Sequence, residues 1–190
     1  GKTSPSLQAL LSPANHEAGT LAPAEPVSEA GTGPMRLTSR TRKSSDTIIS
    51  VKGVRIGGPD LIVIAGPSAV ESEEQILACA HAVKECGGKI LRGGCFRART
   101  SPTTFQGLGL EGLRLLVEAA RVYDLPVITE VTSPSEVEPV ARLADVLQIG
   151  ARNMQNYSLL KEVGGVNRPI LLKRAPMSTL DEFLDAAEFI

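Results

Sequence analysis

The sequence predicts an α/β fold in which parallel strands alternate with helices. Five short apolar runs recur between residues 61 and 172, and a stretch with helical spacing of apolar residues follows each run. Every run stops at a polar or glycine-marked segment, which is typical of a strand that leads into a loop. No G-x-G-x-x-G motif follows the first run, which favours a barrel over a doubly wound sheet. The predicted strands cover residues 61–65, 89–91, 126–129, 145–149 and 169–172.

Composition argues against several classes of protein. The chain has 190 residues, enough for one sizeable domain, and its formal net charge of −1 does not favour a nucleic-acid partner. Its longest apolar run is far shorter than a membrane-spanning helix, and its first residues lack a secretory signal, so we expect no membrane. The cysteines Cys79, Cys86 and Cys95 fit no zinc motif. Free thiols are typical of a reducing compartment, which predicts a cytoplasmic protein.

A polar arm and a β-hairpin precede the first strand of the predicted parallel sheet. Residues 1–34 are rich in Ala, Pro, Gly, Ser, Thr and Glu and contain no Phe, Tyr or Trp, so we expect a disordered arm or linker. Residues 35–190 form the predicted folded domain. Within it, β-branched runs at 47–51 and 54–56 flank Lys52-Gly53, a pattern that predicts a β-hairpin.

Capping residues mark the predicted helix starts. Ser72 with Gln75 predicts a capping box at the first helix, and Ser133-Pro134 begins the third. Ser178 or Thr179 caps the last helix, which we expect to continue to residue 190.

The residues at the ends of the predicted strands carry the chemistry. In a sheet of parallel strands these positions share one edge and line the active site. The second strand is followed by Arg92, the fourth by Arg152 and the fifth by Lys173-Arg174, whereas the third delivers Glu130. Guanidinium and ammonium groups bind phosphate and carboxylate, so the pattern predicts a site for a small anion.

The loop at residues 92–102 is the most basic of these segments. Gly93 and Gly94 allow the backbone to approach a ligand closely. Two readings remain open for its arginines, an anion site or pairing with acids on neighbouring loops. Glu130 has the matching alternatives of acid–base work or pairing with one of the arginines. The loop's candidate ligands are Arg92, Arg97 and Arg99.

Five β/α units are fewer than a closed barrel contains. A complete barrel needs eight units and about 250 residues, and five would leave an open edge and a half-exposed core. The sequence also begins with Gly and stops inside an apolar-periodic stretch. We therefore expect this chain to be the front part of a longer one.

Six segments in order resemble one enzyme family. They are IAGPSAVES at 64–72, LRGGCFRARTSP at 91–102, FQGLGLEGL at 105–113, ITEV at 128–131, LQIGARNMQN at 147–156 and LLKR at 171–174. From residue 35 onward the sequence resembles the 3-deoxy-D-arabino-heptulosonate-7-phosphate (DAHP) synthases. The closer match is to the branch that also resembles 3-deoxy-octulosonate-8-phosphate (KDO-8-phosphate) synthase. The resemblance implies a (β/α)8 TIM barrel, of which about five units are present.

The resemblance also implies an activity. The family comprises transferases that condense phosphoenolpyruvate with erythrose 4-phosphate to give DAHP and phosphate. This reaction is the first step of the shikimate pathway to chorismate and the aromatic amino acids. A divalent metal, Mn, Fe, Co or Zn, polarises the aldehyde oxygen in the family. A homo-oligomer is implied for the full-length protein.

The family's positions fall on the strand ends described above. By resemblance, Arg92, Arg152 and Lys173 are ligands of the phosphoenolpyruvate anion, and Lys173 is also a catalytic position. The backbone at Gly150 and Ala151 resembles the part that helps hold the phosphate.

The other substrate and the metal have matching positions too. Arg97, Arg99 and Thr100 match the segment that handles the sugar phosphate and part of the enol substrate. Glu130 matches a catalytic carboxylate near the attacking water. Ser68 stands at the position of the first metal ligand, where the family has Cys.

Several departures bear on activity. A hydroxyl at Ser68 is a weaker metal ligand than a thiolate. Arg97 replaces a Lys, Ala98 replaces a Pro, and Ala175 stands where Gly usually follows the Lys-Arg pair. The family's other metal ligands, a His, a Glu and an Asp, belong to its last three β/α units, which we expect to be missing here. Two alternatives therefore stay open: an impaired fragment or paralogue that only binds phosphorylated ligands or a partner, and, less favoured, a KDO-8-phosphate synthase.

Overall fold

A computed structural model describes residues 37–97, 101 and 103–190 of the chain. The arm predicted at 1–34 lies outside the described residues and stays a prediction, as does the domain boundary at residue 35. The strands are β1 (Ile49–Val51), β2 (Val54–Ile56), β3 (Ile64–Ala65), β4 (Ile90–Arg92), β5 (Val127–Val131), β6 (Val146–Ile149) and β7 (Ile170–Leu172). The helices are α1 (Glu73–Glu85), α2 (Gly109–Val122), α3 (Pro134–Ala141), α4 (Tyr157–Gly164) and α5 (Leu180–Ala187).

The order of the strands identifies the architecture. Five parallel strands lie side by side in chain order, β3-β4-β5-β6-β7, and β1 pairs with β2 in a separate antiparallel hairpin. Consecutive helices from α1 to α5 contact one another, which places them together on one face of the sheet. A doubly wound sheet would reverse its strand order and carry helices on both faces. The predicted α/β half-barrel preceded by a hairpin is therefore confirmed.

The two faces of the sheet have separate cores. Leu91, Val127 and Leu147 belong to the core shared with the helices. Their strand neighbours Ile90 and Ile128 point to the opposite face, because successive side chains of a strand alternate. There they meet Val146 of β6 and Val51 of the hairpin. The hairpin thus covers the apolar part of the face that turns away from the helices, here called the inner face.

The hairpin has the tight turn that its sequence predicts. Its two central residues, Lys52 and Gly53, both have positive φ, at 45° and 82°. Two residues of this conformation form the turn whose twist matches that of the flanking strands.

Strand boundaries differ from the prediction at the site. The strand expected at 61–65 is wrong in length, since β3 contains only Ile64–Ala65. Within the described residues β3 is an edge strand, and Leu61, three residues before it, is 89% exposed. Conversely, β4 and β5 reach further than expected, and Arg92 and Glu130 are strand residues rather than loop residues.

The helix caps are largely as predicted. Ser72 accepts a hydrogen bond from the Gln75 backbone at 3.1 Å, but the Gln75 side chain accepts from the Glu71 amide instead of closing a box on Ser72. Ser133 forms a complete capping box at the start of α3, and Thr179 does so at α5. The last helix is shorter than expected and ends at Ala187. None of the described helices is long and apolar enough to span a membrane.

Asp145 joins the hairpin to the sheet. Its Oδ2 accepts a hydrogen bond from the Val127 backbone at 2.8 Å and lies 2.9 Å from Lys52 Nζ in the hairpin turn. The Asp145 side chain is only 11% exposed, so water replaces these partners poorly.

Replacing this carboxylate should destabilise the fold measurably. Asp145→Ala leaves the Val127 amide without its acceptor, and we expect the free energy of unfolding to fall by about 1–3 kcal/mol. The matched control is Glu138→Ala, which removes a 2.9 Å ion pair to Arg142 on an exposed helix surface and should change it by less than about 0.5 kcal/mol. Urea denaturation measures both, and equal losses would contradict this role for Asp145.

Candidate active site

Four polar side chains follow the apolar floor of the inner face. Each of them comes two positions after an apolar residue that belongs to the inner-face cluster or packs against it. The four pairs are Ile90 and Arg92, Ile128 and Glu130, Val146 and Gln148, and Leu171 and Lys173. The pairing register agrees, because Glu130 lies opposite Gln148 and Gln148 lies opposite Leu171. Two cations, a carboxylate and an amide therefore share the inner face at the carboxyl edge of the sheet, where such folds bind ligands.

Glu130 is held by its neighbours on β6. Its Oε2 accepts a hydrogen bond from Gln148 Nε2 at 3.4 Å. A Cβ at Gly150 would overlap Glu130 Oε1, so only glycine leaves room for the carboxylate in this position. The hydrogen bond from Gln148 holds the carboxylate beside β6, and Gly150 leaves space for it.

Sequence reasoning missed Gln148. The residue is 2% exposed, which is rare for an amide without a functional or structural partner. A signal was present, because Gln148 is the single polar residue of an otherwise apolar strand. The sequence does not show that Gln148 lies beside Glu130, because that follows only from the pairing of β6 with β5.

Two of the cations have charge to offer a ligand. Arg92 is half-buried and Lys173 is exposed, and neither forms an ion pair with any residue of the described part. The lack of an ion pair at Arg92 within the described residues argues against the alternative that this arginine pairs with an acidic side chain of a neighbouring loop. Arg174 is different, because its Nη1 donates to the backbone carbonyl of Ser178. Alternation from Leu171 on the inner face and Leu172 on the helix face places Lys173, rather than Arg174, on the inner face.

The loops after β3 and β4 are packed backbone to backbone. Gly66 has φ of 144°, and a Cβ there would overlap the Arg92 carbonyl oxygen. The Val70 amide donates to the Gly94 carbonyl at 2.9 Å. Arg97 Nη1 donates to the Ser68 carbonyl, so a guanidinium lies directly beside the Ser68 backbone. Of the two glycines predicted to permit close approach to a ligand, Gly94 leaves room for the Ser68 carbonyl of the neighbouring loop, and Gly93 leaves room for the side chains of Val70 and Leu116.

The remaining predicted site residues are distributed as follows. Gly150 precedes a 3-10 helix, Ala151–Asn153, that carries Ala151 and an exposed Arg152 at the end of β6. The backbone of Lys173 donates to the Ile149 carbonyl at 3.0 Å, which keeps this loop beside the β7 end. Arg99 and Thr100 lie outside the described residues. Their assignment to the sugar phosphate therefore stays a prediction.

Cys95 does not replace the missing thiol at position 68. It is fully buried in the core between sheet and helices, with Leu113 and Leu116. Burial raises the pKa of the Cys95 thiol to about 11, against a smaller opposing effect of a hydrogen bond with Thr129. A thiol in that state is neither a thiolate nor accessible to the inner face.

The described residues do not by themselves fit a metal. Ser68 offers a neutral hydroxyl, and its neighbour is the Arg97 guanidinium. Across residues 37–97, 101 and 103–190 no group of three or more His, Cys, Asp or Glu side chains could hold a metal ion. Hard or borderline divalent metals need several such ligands.

The burial of Cys95 predicts selective alkylation. At pH 8 its thiolate fraction should be roughly a hundredfold below that of a cysteine with an ordinary pKa of 9.0, because the folded pKa is about 11. Cys86 is exposed and should react first with iodoacetamide. Peptide mass spectrometry after timed labelling measures both rates. Labelling of Cys95 as fast as Cys86 in the folded protein, and not only in denaturant, would refute the assigned burial.

Comparison with known proteins gives one consistent family. Residues 42–190 match the sequence model of a protein family that is described as the DAHP synthetase I family. A phospho-2-dehydro-3-deoxyheptonate aldolase of Thermotoga maritima is 47% identical over 157 residues, which are 83% of this chain and 46% of that protein. A 2-dehydro-3-deoxyphosphooctonate aldolase of Geobacter sulfurreducens is 34% identical over 134 residues, 66% of this chain and 49% of that protein.

Solved structures agree with the sequence comparison. The crystal structure of the Thermotoga maritima DAHP synthase superposes with a TM-score of 0.77 at 46% identity, covering 82% of this chain and 45% of that one. A truncated form of the 3-deoxy-D-arabino-heptulosonate 7-phosphate synthase from the same organism gives a TM-score of 0.71 at 42% identity, covering 80% and 54%. The chain thus spans about half the length of the curated relatives it matches.

Proposed function

The chain belongs to the DAHP synthetase I family, and on that premise we propose that the protein it represents condenses phosphoenolpyruvate with erythrose 4-phosphate. The products are DAHP and inorganic phosphate, and the enzyme is a transferase at the start of the shikimate pathway to chorismate and the aromatic amino acids. The observation that carries the proposal is the set of Arg92, Glu130, Gln148 and Lys173 on one inner face.

The cations suit a substrate with two anionic groups. Phosphoenolpyruvate has a carboxylate and a phosphate, and both are recognised by guanidinium and ammonium donors. In the proposal Arg92 and Lys173 bind these groups from the sheet, and Arg152 adds a third cation from the 3-10 helix, beside the backbone of Gly150 and Ala151. Arg97, Arg99 and Thr100 receive the sugar phosphate. The fixed inner-face positions hold the enol carbon near the aldehyde and reduce the entropy cost of the encounter.

Glu130 has the role of a base. The terminal methylene carbon of phosphoenolpyruvate forms a bond to the aldehyde carbon, whose oxygen takes a proton from solvent, and the neighbouring carbon, which carries the phosphate ester oxygen, becomes cationic. Water adds to that carbon and gives a proton to Glu130. The carbon–oxygen bond to phosphate then breaks, and the hydroxyl on the same carbon gives its proton to the departing phosphate. The keto group of DAHP and inorganic phosphate remain. Gln148 and Gly150 hold the carboxylate so that it keeps one position during these steps.

Family membership points to a metal cofactor in general, which the proposal assigns to Mn, Fe, Co or Zn. Such an ion supplies Lewis-acid polarisation of the aldehyde when bound. Ser68 alone is a poor anchor for it, so no step above depends on it. We place the enzyme in the cytoplasm, supported by three cysteines without a disulfide, and expect a homo-oligomer without membrane or nucleic-acid partners.

Two other functions compete with this one. The Ser68 hydroxyl favours an impaired paralogue that binds phosphorylated ligands or a partner without turnover. The octulosonate relatives favour a KDO-8-phosphate synthase that would use arabinose 5-phosphate. The higher identity to the heptulosonate enzyme, and the Gly150-Ala151-Arg152 sequence, favour the DAHP reaction.

The proposal is tested on the complete gene product, after its intact mass is measured. Phosphoenolpyruvate should be consumed only when erythrose 4-phosphate is present, with manganese added. Glu130→Gln should lower kcat by roughly 10²–10⁴-fold, because it removes the base, and change KM little. Glu138→Gln, on an exposed helix surface, is the matched control. No consumption with erythrose 4-phosphate, or consumption with arabinose 5-phosphate alone, would overturn the proposal.

The Ser68→Cys variant separates the enzyme from the impaired paralogue. A thiolate at this position should raise affinity for cobalt or zinc by at least about tenfold, measured by isothermal titration and by the thiolate-to-cobalt absorption band. Turnover should rise with it if the missing ligand limits the natural protein. Tighter metal binding without any turnover would favour the paralogue.

A further inference from the structure

One buried sulfur connects the ends of β6 and β7. Met154 caps the 3-10 helix Ala151–Asn153 and is fully buried. Its Sδ accepts a hydrogen bond from the backbone amide of Ala175 at 3.2 Å. The Ser178 hydroxyl lies 3.3 Å from the same sulfur. The two donors belong to the loop that follows Lys173.

This arrangement is more specific than ordinary packing of methionine. A thioether is a weak acceptor, and a buried methionine usually fills space without directional contacts. Here the Met154 sulfur accepts from the Ala175 backbone amide, which lies beyond the end of β7 and therefore needs an acceptor outside the sheet. The Ser178 hydroxyl has one proton, which it shares between Met154 Sδ and the Ala175 carbonyl at 2.8 Å. The Ala175 amide is therefore the principal donor.

The contact lies between two groups of anion ligands. Upstream of Met154 is the segment Gly150–Arg152, and two residues before Ala175 is Lys173. The backbone of Lys173 still belongs to the ladder with β6, through the Ile149 carbonyl at 3.0 Å. Beyond it the loop is held at Met154 Sδ and at Ser178, whose carbonyl also receives the Arg174 guanidinium. Without the sulfur contact, the described hydrogen bonds between the two loops end at Lys173.

We propose that Met154 is a positioning residue, whose Sδ fixes the β7 loop on the β6 loop and so sets the spacing between Arg152 and Lys173. The effect on ligand binding rests on the proposed function, since phosphoenolpyruvate is the anion that would bridge these groups. Met154 touches no reacting atom; it acts through the Ala175 backbone.

The test is Met154→Leu in the complete protein. Leucine keeps the apolar volume but has no acceptor. Met177→Leu is the matched control, because Met177 lies in the same loop and is 95% exposed. We expect Met154→Leu to raise the KM and the dissociation constant for phosphoenolpyruvate by about three- to tenfold, with kcat changed less than about twofold, and Met177→Leu to change neither.

A second measurement does not depend on activity. Amide hydrogen exchange at Ala175 should be at least about fivefold faster in Met154→Leu, because its acceptor is gone, and unchanged in Met177→Leu. Selenomethionine keeps an acceptor at this position and should retain slow exchange and the original affinity. If the protein consumes no phosphoenolpyruvate but Ala175 exchange responds, the proposed function fails and the loop contact stands. Unchanged exchange at Ala175, or lower stability with unaltered KM, would overturn the positioning role.

Discussion

The parallel register of β3 to β7 is the constraint on which the rest of the structure depends. It brings the carboxyl ends of five strands to one edge, and alternation of side chains then separates two environments along each strand. Ile90 and Ile128 pack toward the hairpin on the inner face, and two residues later Arg92 and Glu130 lie on the same face at the carboxyl edge of the sheet. A slip of one residue would bury these charges among the helices.

The loops depend on that register but add their own supports. Gly66 and Gly150 leave space where a Cβ would strike the Arg92 carbonyl and the Glu130 carboxylate. Thr129 donates to the Gly93 carbonyl at 2.7 Å and so holds the loop after β4 from the helix side. The Met154 sulfur accepts a hydrogen bond from the Ala175 amide and so connects the loops after β6 and β7. Neighbouring loops are thereby held together in pairs, so a ligand would meet a site whose cations are already positioned.

The sequence patterns predicted the local features of the fold, which are the strands, turns and helix caps. Apolar runs, the Lys52-Gly53 turn and the Ser133 cap are properties of a few consecutive residues, and each appears where expected. Contacts between distant segments were not visible. The place of Gln148 beside Glu130 follows only from the pairing of β6 with β5, and nothing in the sequence shows that the Cys95 side chain lies on the helix side. The strand at residue 61 was overextended, because apolar composition cannot tell an edge strand from a central one.

The burial of Cys95 also determines how the site would respond to oxidants. Metal sites anchored by a thiolate lose function when peroxide converts the sulfur to sulfenic acid. In this chain Ser68 has no sulfur to oxidise, and Cys95 is fully buried. Cys79 lies within α1, and Cys86 is the residue at which α1 ends. Peroxide or an alkylating agent would therefore modify Cys86 first, on a surface that the inner-face charges do not share.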